Sequence, residues 1–512
     1  MNATNSRPRN TARVRKAVGH NLIFRLLSQA ATAITYVYLV RMLTQEEFGV
    51  YQLFYAIPPV IATVFSFGIG NALSRYLPEY FDNNRFSIAS SLLSWGMRIR
   101  LATSILVLGA SIFFWDSFSA LFKITEYHTY YIVFAVIVVT YFQCQLLTTS
   151  LSAYLLQQWS MGLTASFILI KLLGYVAVAA IGNFTLWAAL TVDLGAYILW
   201  YLGLSWANKS FIPWTGTKEA LPQTERRRVF RYGFLHNFND IGTLTLNSRT
   251  DNLFIAAFMN PAFVGAYAFC TQLESMSQKL LPARFFGTIV RPLIYRLNYQ
   301  TQADRARQYF QFLIRVNYLI LFPIFVFVAG VTTPIINVVF GGKFVEYSAV
   351  LVATFAFSCA SGFNQPVTII AELAERAGTI LASKIFAIYN IVGNLILIPV
   401  YGIMGAVVAT GTAILFKNLF IWFFVRKVAS FDGMMRFFVI QIGLWVICWW
   451  LIQTIADHLT DLLALLSAAP IMFVAVVLAW RLTDFSGSDR ELLQKLGGKR
   501  ARWILTFMGI TK

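Results

Sequence analysis

The sequence predicts an all-α polytopic membrane protein of about fourteen transmembrane helices. Three observations predict it. Of the 512 residues, 58% are hydrophobic and 16% aromatic, while only 12% are Asp, Glu, Lys or Arg, against roughly 25% charged in a water-soluble globular chain. The apolar residues run in blocks of about 20, the length a helix needs to cross the hydrocarbon layer with its backbone polar groups satisfied internally. The 41 Lys and Arg exceed the 22 Asp and Glu, giving +19, and the excess collects between alternate blocks. A soluble globular enzyme is excluded.

The expected spans lie near 20–43, 49–77, 88–115, 128–154, 159–181, 184–206, 231–258, 262–290, 310–332, 346–371, 378–400, 402–425, 435–455 and 460–480. In the third, Arg98 and Arg100 interrupt the apolar pattern, so its core is also readable as Leu101 to Phe122. With both termini inside, the inner segments hold about 28 Lys and Arg and the outer loops about three, Arg41, Lys123 and Lys343. That bias places both termini in the cytoplasm, and an odd number of spans would destroy it. It also argues against nucleic acid as a partner, because no folded module presents the charge; anionic lipid headgroups suffice. Cys144, Cys270, Cys359 and Cys448 sit in apolar stretches without CxxC or Cys/His spacing, so neither a disulfide framework nor a metal site is expected. The N-terminal basic tail leads into an apolar segment with Arg25 inside it and no cleavage pattern, so the first span is expected to be retained.

The longest polar stretch, Asn208 to Arg231, carries the run Arg226-Arg227-Arg228 and divides the chain after the sixth span. Similar patterns recur on each side. Met42-Leu43-Thr44-Gln45-Glu46-Glu47-Phe48-Gly49-Val50-Tyr51 is echoed by Met259-Asn260-Pro261-Ala262-Phe263-Val264-Gly265-Ala266-Tyr267, and Gly182-Asn183-Phe184-Thr185-Leu186-Trp187-Ala188-Ala189 by Tyr401-Gly402-Ile403-Met404-Gly405-Ala406-Val407. Both echoes return after about 217 residues, which predicts two six-helix lobes in the same orientation. The resulting organisation is a basic tail (1–19), an N-lobe (20–206), a cytoplasmic linker (207–230), a C-lobe (231–427), two further helices (433–482) and a second tail (483–512).

Leu43-x-x-Glu46-Glu47-Phe48-Gly49-Val50-Tyr51, Arg249-x-Asp251 and Asn394-x-x-x-x-Pro399-x-Tyr401-Gly402-Ile403-x-Gly405-Ala406-x-x-Ala409-Thr410 together resemble the polysaccharide-biosynthesis flippases of the multidrug/oligosaccharidyl-lipid/polysaccharide exporter superfamily. The resemblance spans nearly the whole chain. It implies two six-helix lobes around a central cavity, and a polyprenyl-diphosphate-linked oligosaccharide moved from the cytoplasmic to the outer leaflet of the cell membrane. Polysaccharide polymerase and synthesis enzymes are the protein partners it implies; no cofactor is implied. The lipid II flippase branch shares the fourteen spans.

A charge at bilayer depth costs roughly 2.5–3.5 kcal/mol on insertion scales, so each must face water, a partner or a ligand. For a diphosphate cargo the candidate cations are Arg25, Lys171, Arg249 and Lys279, Arg binding phosphate oxygens in bidentate fashion and Lys as a point charge. Asp193, Asp251 and Glu274 are the candidate ion-coupling acids, and Gln272, Asn364 and Gln365 the candidate sugar-facing amides. Structural readings compete with each. Arg249 and Asp251 each pair across helices, Arg25 snorkels to the interface, Glu274 and Lys279 pair with neighbours, and Lys171 forms a salt bridge with Asp193. Arg98, Arg100, Arg284, Arg315, Lys384 and Lys417 read most simply as interfacial cations. Pro58-Pro59, Pro282, Pro323 and Pro366 predict kinks in spans two, eight, nine and ten.

Three rivals remain, of which a scaffold that merely gathers synthesis enzymes would not explain the deep charges. A membrane glycosyltransferase or ligase would use acids in an external loop, but the loop holding Glu46 and Glu47 is short, His128 and His458 stand isolated, and no catalytic set assembles. The absence of a Walker A motif argues against ATP hydrolysis. A cation-coupled multidrug exporter would use the same acids, but the intramembrane cation surplus favours an anionic cargo.

Overall fold

A computed structural model of the chain describes residues 9–182, 184–214, 222–279, 294–295, 301–487 and 489–490, with side chains outside that description at 9–23, 25–26 and 238–239. The described residues form helices. In the first half these are α1 (Arg9–Met42), α2 (Gln45–Val64), α3 (Ile69–Asp82), α4 (Phe86–Phe113), α5 (Trp115–Phe122), α6 (His128–Ala153), α7 (Gln157–Ile181) and α8 (Leu186–Phe211). The second half contributes α9 (Gln223–Leu244), α10 (Ser248–Phe258), α11 (Pro261–Gln278), α12 (Ala303–Phe340), α13 (Ser348–Ala360), α14 (Asn364–Leu373), α15 (Ala377–Ala382), α16 (Ile385–Val425), α17 (Met435–Ala456) and α18 (Asp461–Arg481). Among the described residues nine helical segments are long and apolar enough to cross a membrane, ten when the bent pair α2–α3 is taken as one span. One of the nine, 377–425, has 49 residues, more than twice the roughly 20 a single crossing needs. It reverses at Gly402, whose φ of 59° and ψ of −141° favour a residue without a Cβ. A Cβ on Gly405 would lie 2.2 Å from the Leu397 carbonyl oxygen, a proximity that a continuous helix forbids. The segment therefore carries two of the expected spans.

Prolines and breaks do not coincide everywhere. Pro58 and Pro59 lie inside an unbroken α2, and the bend of 61° falls after Val64. Phe67 and Gly68 make it, with φ of +51° and +67°, and the Gly68 Cα packs so closely on Gly233 that a Cβ would sit 1.9 Å from the Gly233 oxygen. In α12 the backbone departs from helix at Val331, three residues before Pro334, whereas Pro323 is accommodated. The ring of a helical proline crowds the carbonyl four residues back, which accounts for the position of that kink. Pro366 sits in the first turn of α14, where its missing N–H is not needed. Pro282 and Arg284, in the second half of the eighth expected span, lie outside the described residues.

The helices divide into two compact units, Met1–Leu244 with Asn260–Gly265, and Thr245–Met259 with Ala266–Lys512. The border at Leu244 falls inside the seventh expected span, between α9 and α10. In unit 1, Leu73 and Leu77 of α3, Leu92 of α4, Leu147 and Leu151 of α6 and Leu204 of α8 share one buried cluster. In unit 2, Phe310, Leu313 and Leu321 of α12 pack with Val367 and Ile370 of α14 and with Trp445 and Ile452 of α17. Outer faces stay apolar: Phe113 is 82% exposed and Ile181 88%, which suits a hydrocarbon surround and not water. The chain is a helical multi-pass membrane protein.

Candidate functional site

Among the described residues each unit buries one carboxylate completely. Asp193, on α8, and Asp251, on α10, are both 0% exposed. Both acids accept a hydrogen bond from the tyrosine that ends a copy of the sequence echo. Tyr51 OH donates to Asp193 Oδ2 at 2.9 Å, and Tyr267 OH to Asp251 Oδ2 at 2.6 Å.

Around Asp193 the remaining partners include a cation. Lys171 Nζ lies 2.8 Å from Asp193 Oδ1 and 3.0 Å from Oδ2, and it donates to Tyr51 OH at 2.8 Å. Tyr55 and Tyr175 each donate to the carboxylate at 2.5 Å. The ammonium also lies 5.3 and 5.5 Å from the Tyr55 and Tyr175 ring centroids. Lys171 thus forms the salt bridge with Asp193 that the sequence offered as one of its two readings.

Around Asp251 the hydrogen-bond partners among the described residues are neutral. Asn394 Nδ2 donates to Oδ1 at 2.8 Å and Thr410 Oγ1 to Oδ2 at 2.8 Å, while Thr410 Oγ1 lies 2.9 Å from Asn390 Oδ1. Thr410 has a single proton, so it serves one of its two acceptors at a time. Asn390 Nδ2 is engaged by the Thr245 carbonyl at 2.6 Å, and the buried Asn394 Oδ1 has no partner. The reversal at Gly402 brings this set together, since Asn390 and Asn394 precede it and Thr410 follows it within α16. Among the described residues no cation pairs with the Asp251 carboxylate.

Beside this cluster, within unit 2, lies a cavity of about 320 Å³. Thr271, Gln278, Ser358, Asn364, Gln365 and Thr410 contribute polar walls, and Tyr267 and Glu274 also line it. Its lining among the described residues holds no Lys, Arg or His. Asn317, a lining residue only 1% exposed, donates Nδ2 to the Gly362 carbonyl at 3.0 Å, and its Oδ1 is buried without a partner. Tyr267 and Thr410 belong both to the cavity and to the Asp251 cluster, so a group bound in one draws on hydroxyls used by the other.

The other sequence candidates distribute as follows. Asn364 and Gln365 line the cavity at the start of α14; Gln272, half-buried on α11, does not. Arg249 is exposed in the first turn of α10, and Lys279 is half-buried just past α11. The Arg25 side chain lies outside the described residues. Arg315, read as an interfacial cation, instead pairs with the buried Asp489 at 2.9 Å. Arg100, read the same way, is 5% exposed, because α4 turns it inward against α6. Glu47 caps two helices: its carboxylate accepts from Thr44 N at 3.0 Å in a capping box and from Leu186 N at 3.1 Å at the start of α8. Sequence reasoning gave Asn390 no role, although its spacing of four from Asn394 places both on one helix face.

Solved structures share this fold. A lipid II flippase MurJ in an inward closed conformation superposes with a TM-score of 0.68 at 15% identity, over 93% of this chain and 99% of that one. An inward-facing multidrug resistance MATE family transporter gives 0.61 at 10% identity, over 80% and 98%. A transporter of the same superfamily from Pyrococcus furiosus, whose binding pocket is described as reversed in polarity, gives 0.51 at 13% identity, over 82% and 96%. No curated protein sequence matches significantly. The family model for polysaccharide biosynthesis proteins matches residues 14–298, more than half of the chain, and the protein belongs to that family.

Proposed function

We propose that the protein is a flippase that moves a polyprenyl-diphosphate-linked oligosaccharide from the cytoplasmic to the outer leaflet of the plasma membrane by alternating access, with both termini in the cytoplasm. The observation that carries this reading is the unit 2 cavity. A wall of hydroxyls and amides that includes the Glu274 carboxylate and, among the described residues, no cation complements a ligand rich in O–H donors, as the sugar portion is. Lys171 is neutralised by Asp193, so the diphosphate falls to Arg249, Lys279 and Arg25.

Asp251 is the coupling acid in this reading. A carboxylate with neutral partners alone leaves a place for uptake of a small cation, a place that the Lys171 ammonium fills at Asp193. Thr410 and Tyr267, shared with the cavity, connect that uptake to the sugar. Membrane potential acting on the anionic headgroup adds to the drive.

The test is leaflet translocation of a fluorescent polyprenyl-diphosphate oligosaccharide in liposomes containing the purified protein. The wild type is expected to translocate it, and Asp251→Asn and Asn364→Ala to be impaired with insertion intact. No translocation across several glycans, together with ion-driven efflux of organic cations, would replace the flippase by a multidrug exporter; selective movement of lipid II would narrow the cargo to a peptidoglycan precursor.

A further inference from the structure

Arg100 lies midway along α4, 5% exposed, in a helix long and apolar enough to cross the bilayer. Its Nε and Nη1 are buried and have no hydrogen-bond partner, and it forms no ion pair among the described residues. The contrast with Arg98 is informative. Arg98, two residues earlier, is exposed and donates Nε to its own helix at the Ser94 carbonyl, 3.3 Å away. Phe142 on α6, whose ring centroid lies 4.8 Å from the Arg100 Cζ, gives a cation–π contact, and the Nε side of the guanidinium's N–H edge has no hydrogen-bond acceptor.

That edge approaches the start of α3. Arg100 Nη2 lies 3.7 Å from where a Cβ on Gly70 would stand, and Gly70 is in the first turn of this fourteen-residue helix. The turn has no side-chain cap and no acidic residue, and Asp240, the carboxylate that reaches it, is held by Asn71 Nδ2 at 2.5 Å. A helix N-terminus carries partial positive charge, so it repels a bare guanidinium and attracts an anion. The two together are unfavourable until an anion lies between them. Nε–H and Nη2–H form one flat edge that matches two oxygens of a phosphate group.

We propose that Arg100 and the first turn of α3 form a phosphate subsite within unit 1, which takes the phosphate or diphosphate group of a lipid or the free anion. The site goes beyond the transport reading, because binding is measured without transport. Purified full-length protein in neutral detergent is titrated calorimetrically with inorganic pyrophosphate and, separately, with farnesyl diphosphate. Arg100→Gln is expected to weaken binding of both by about tenfold or more, as loss of a charge-assisted bidentate contact does. Arg98→Gln is expected to bind as the wild type does, and Arg100→Lys to recover part of the affinity. Gly70→Val, which places a branched side chain over the guanidinium edge while leaving Arg100 in place, is expected to lose binding too. Tighter binding of farnesyl diphosphate than of pyrophosphate assigns the site to a lipid headgroup; equal binding assigns it to the free anion. Absence of wild-type binding to either probe, or wild-type affinity in Arg100→Gln, overturns the proposal. A protein that binds diphosphate through Arg100 yet translocates no glycolipid would remove the flippase reading and leave this site standing.

Discussion

Asp193 and Asp251 are equally buried, and each accepts from a tyrosine at the end of the same repeated pattern, yet one faces a lysine and the other faces only amides and hydroxyls. The first centre is closed electrically: an ion pair sheathed by three phenols has no use for another charge. The second carries an uncompensated negative charge when ionised, and it keeps an acceptor in reserve at Asn394 Oδ1. The repeated tyrosines thus anchor two acids from non-equivalent helices, α8 and α10, which the proposed reading makes a fixed joint and a responsive one. The difference lies in the partners and not in burial: a lysine and three phenols at one acid, a phenol, an amide and a threonine hydroxyl at the other.

Breaking the closed centre has the largest expected effect. Asp193→Ala leaves Lys171 buried without a counter-charge, and a loss of about 3–5 kcal/mol is expected, read as a lower melting temperature in detergent. The double variant Lys171→Met/Asp193→Leu should recover most of it; a double variant as unstable as the single one would show that the ion pair is not what the first centre contributes. The responsive centre should behave in the opposite way. Asp251→Asn removes a charge without stranding another, so basal stability is expected to change by less than about 1 kcal/mol. Stabilisation of the wild type by cation or proton, about 2.7 kcal/mol at a concentration one hundred times the dissociation constant, should disappear in that variant. Melting curves against sodium and against falling pH measure it, and an unchanged response in Asp251→Asn would move the ion elsewhere.

Thr410→Val sharpens the comparison further, because it removes a hydroxyl common to the acid and the cavity. A loss of about 1.5–2 kcal/mol in cation response and a parallel weakening of oligosaccharide binding are expected; one without the other would separate the two sites. The smallest effect compares two glycines of the second echo. Gly402 has φ of +59° and should cost about 1–2 kcal/mol as Ala, whereas Gly182 is extended, at φ −174°, with nothing within 4 Å of a Cβ, and Gly182→Ala should be close to neutral. Thermal unfolding of the two alanine variants decides whether the repeats turn by the same device.

Helices and their repetition were legible because the bilayer imposes length and apolarity on each crossing, and because Tyr51 and Tyr267 sit in recognisable copies of one pattern. Their shared role was not legible: Tyr51 meets Asp193 across 142 residues, and no local spacing announces a hydrogen bond of that reach. Lys171 and Asp193 could be paired from depth alone, since adjacent spans align residues at similar depth. Arg100 shows where depth misleads, for it fixes how far along a helix a cation lies but not which way the helix turns it. Asn390 was missed because an asparagine in an apolar run has the same signature whether it bonds a neighbouring helix or an acid. The break at Phe65–Gly68 was obscured by Pro58 and Pro59, which draw attention to a kink that α2 absorbs.

The crossing of Gly68 and Gly233 has a consequence for heredity. A methyl group at position 68 meets the opposite backbone carbonyl and, at 233, lies within 3.0 Å of backbone oxygens, so no shortened side chain on the other strand of the contact makes room for it. Every missense change at either codon adds such a group. Lineages carrying one should therefore regain function by reverting, or by moving whole helices, and compensating substitutions at the facing glycine should be absent from any suppressor collection.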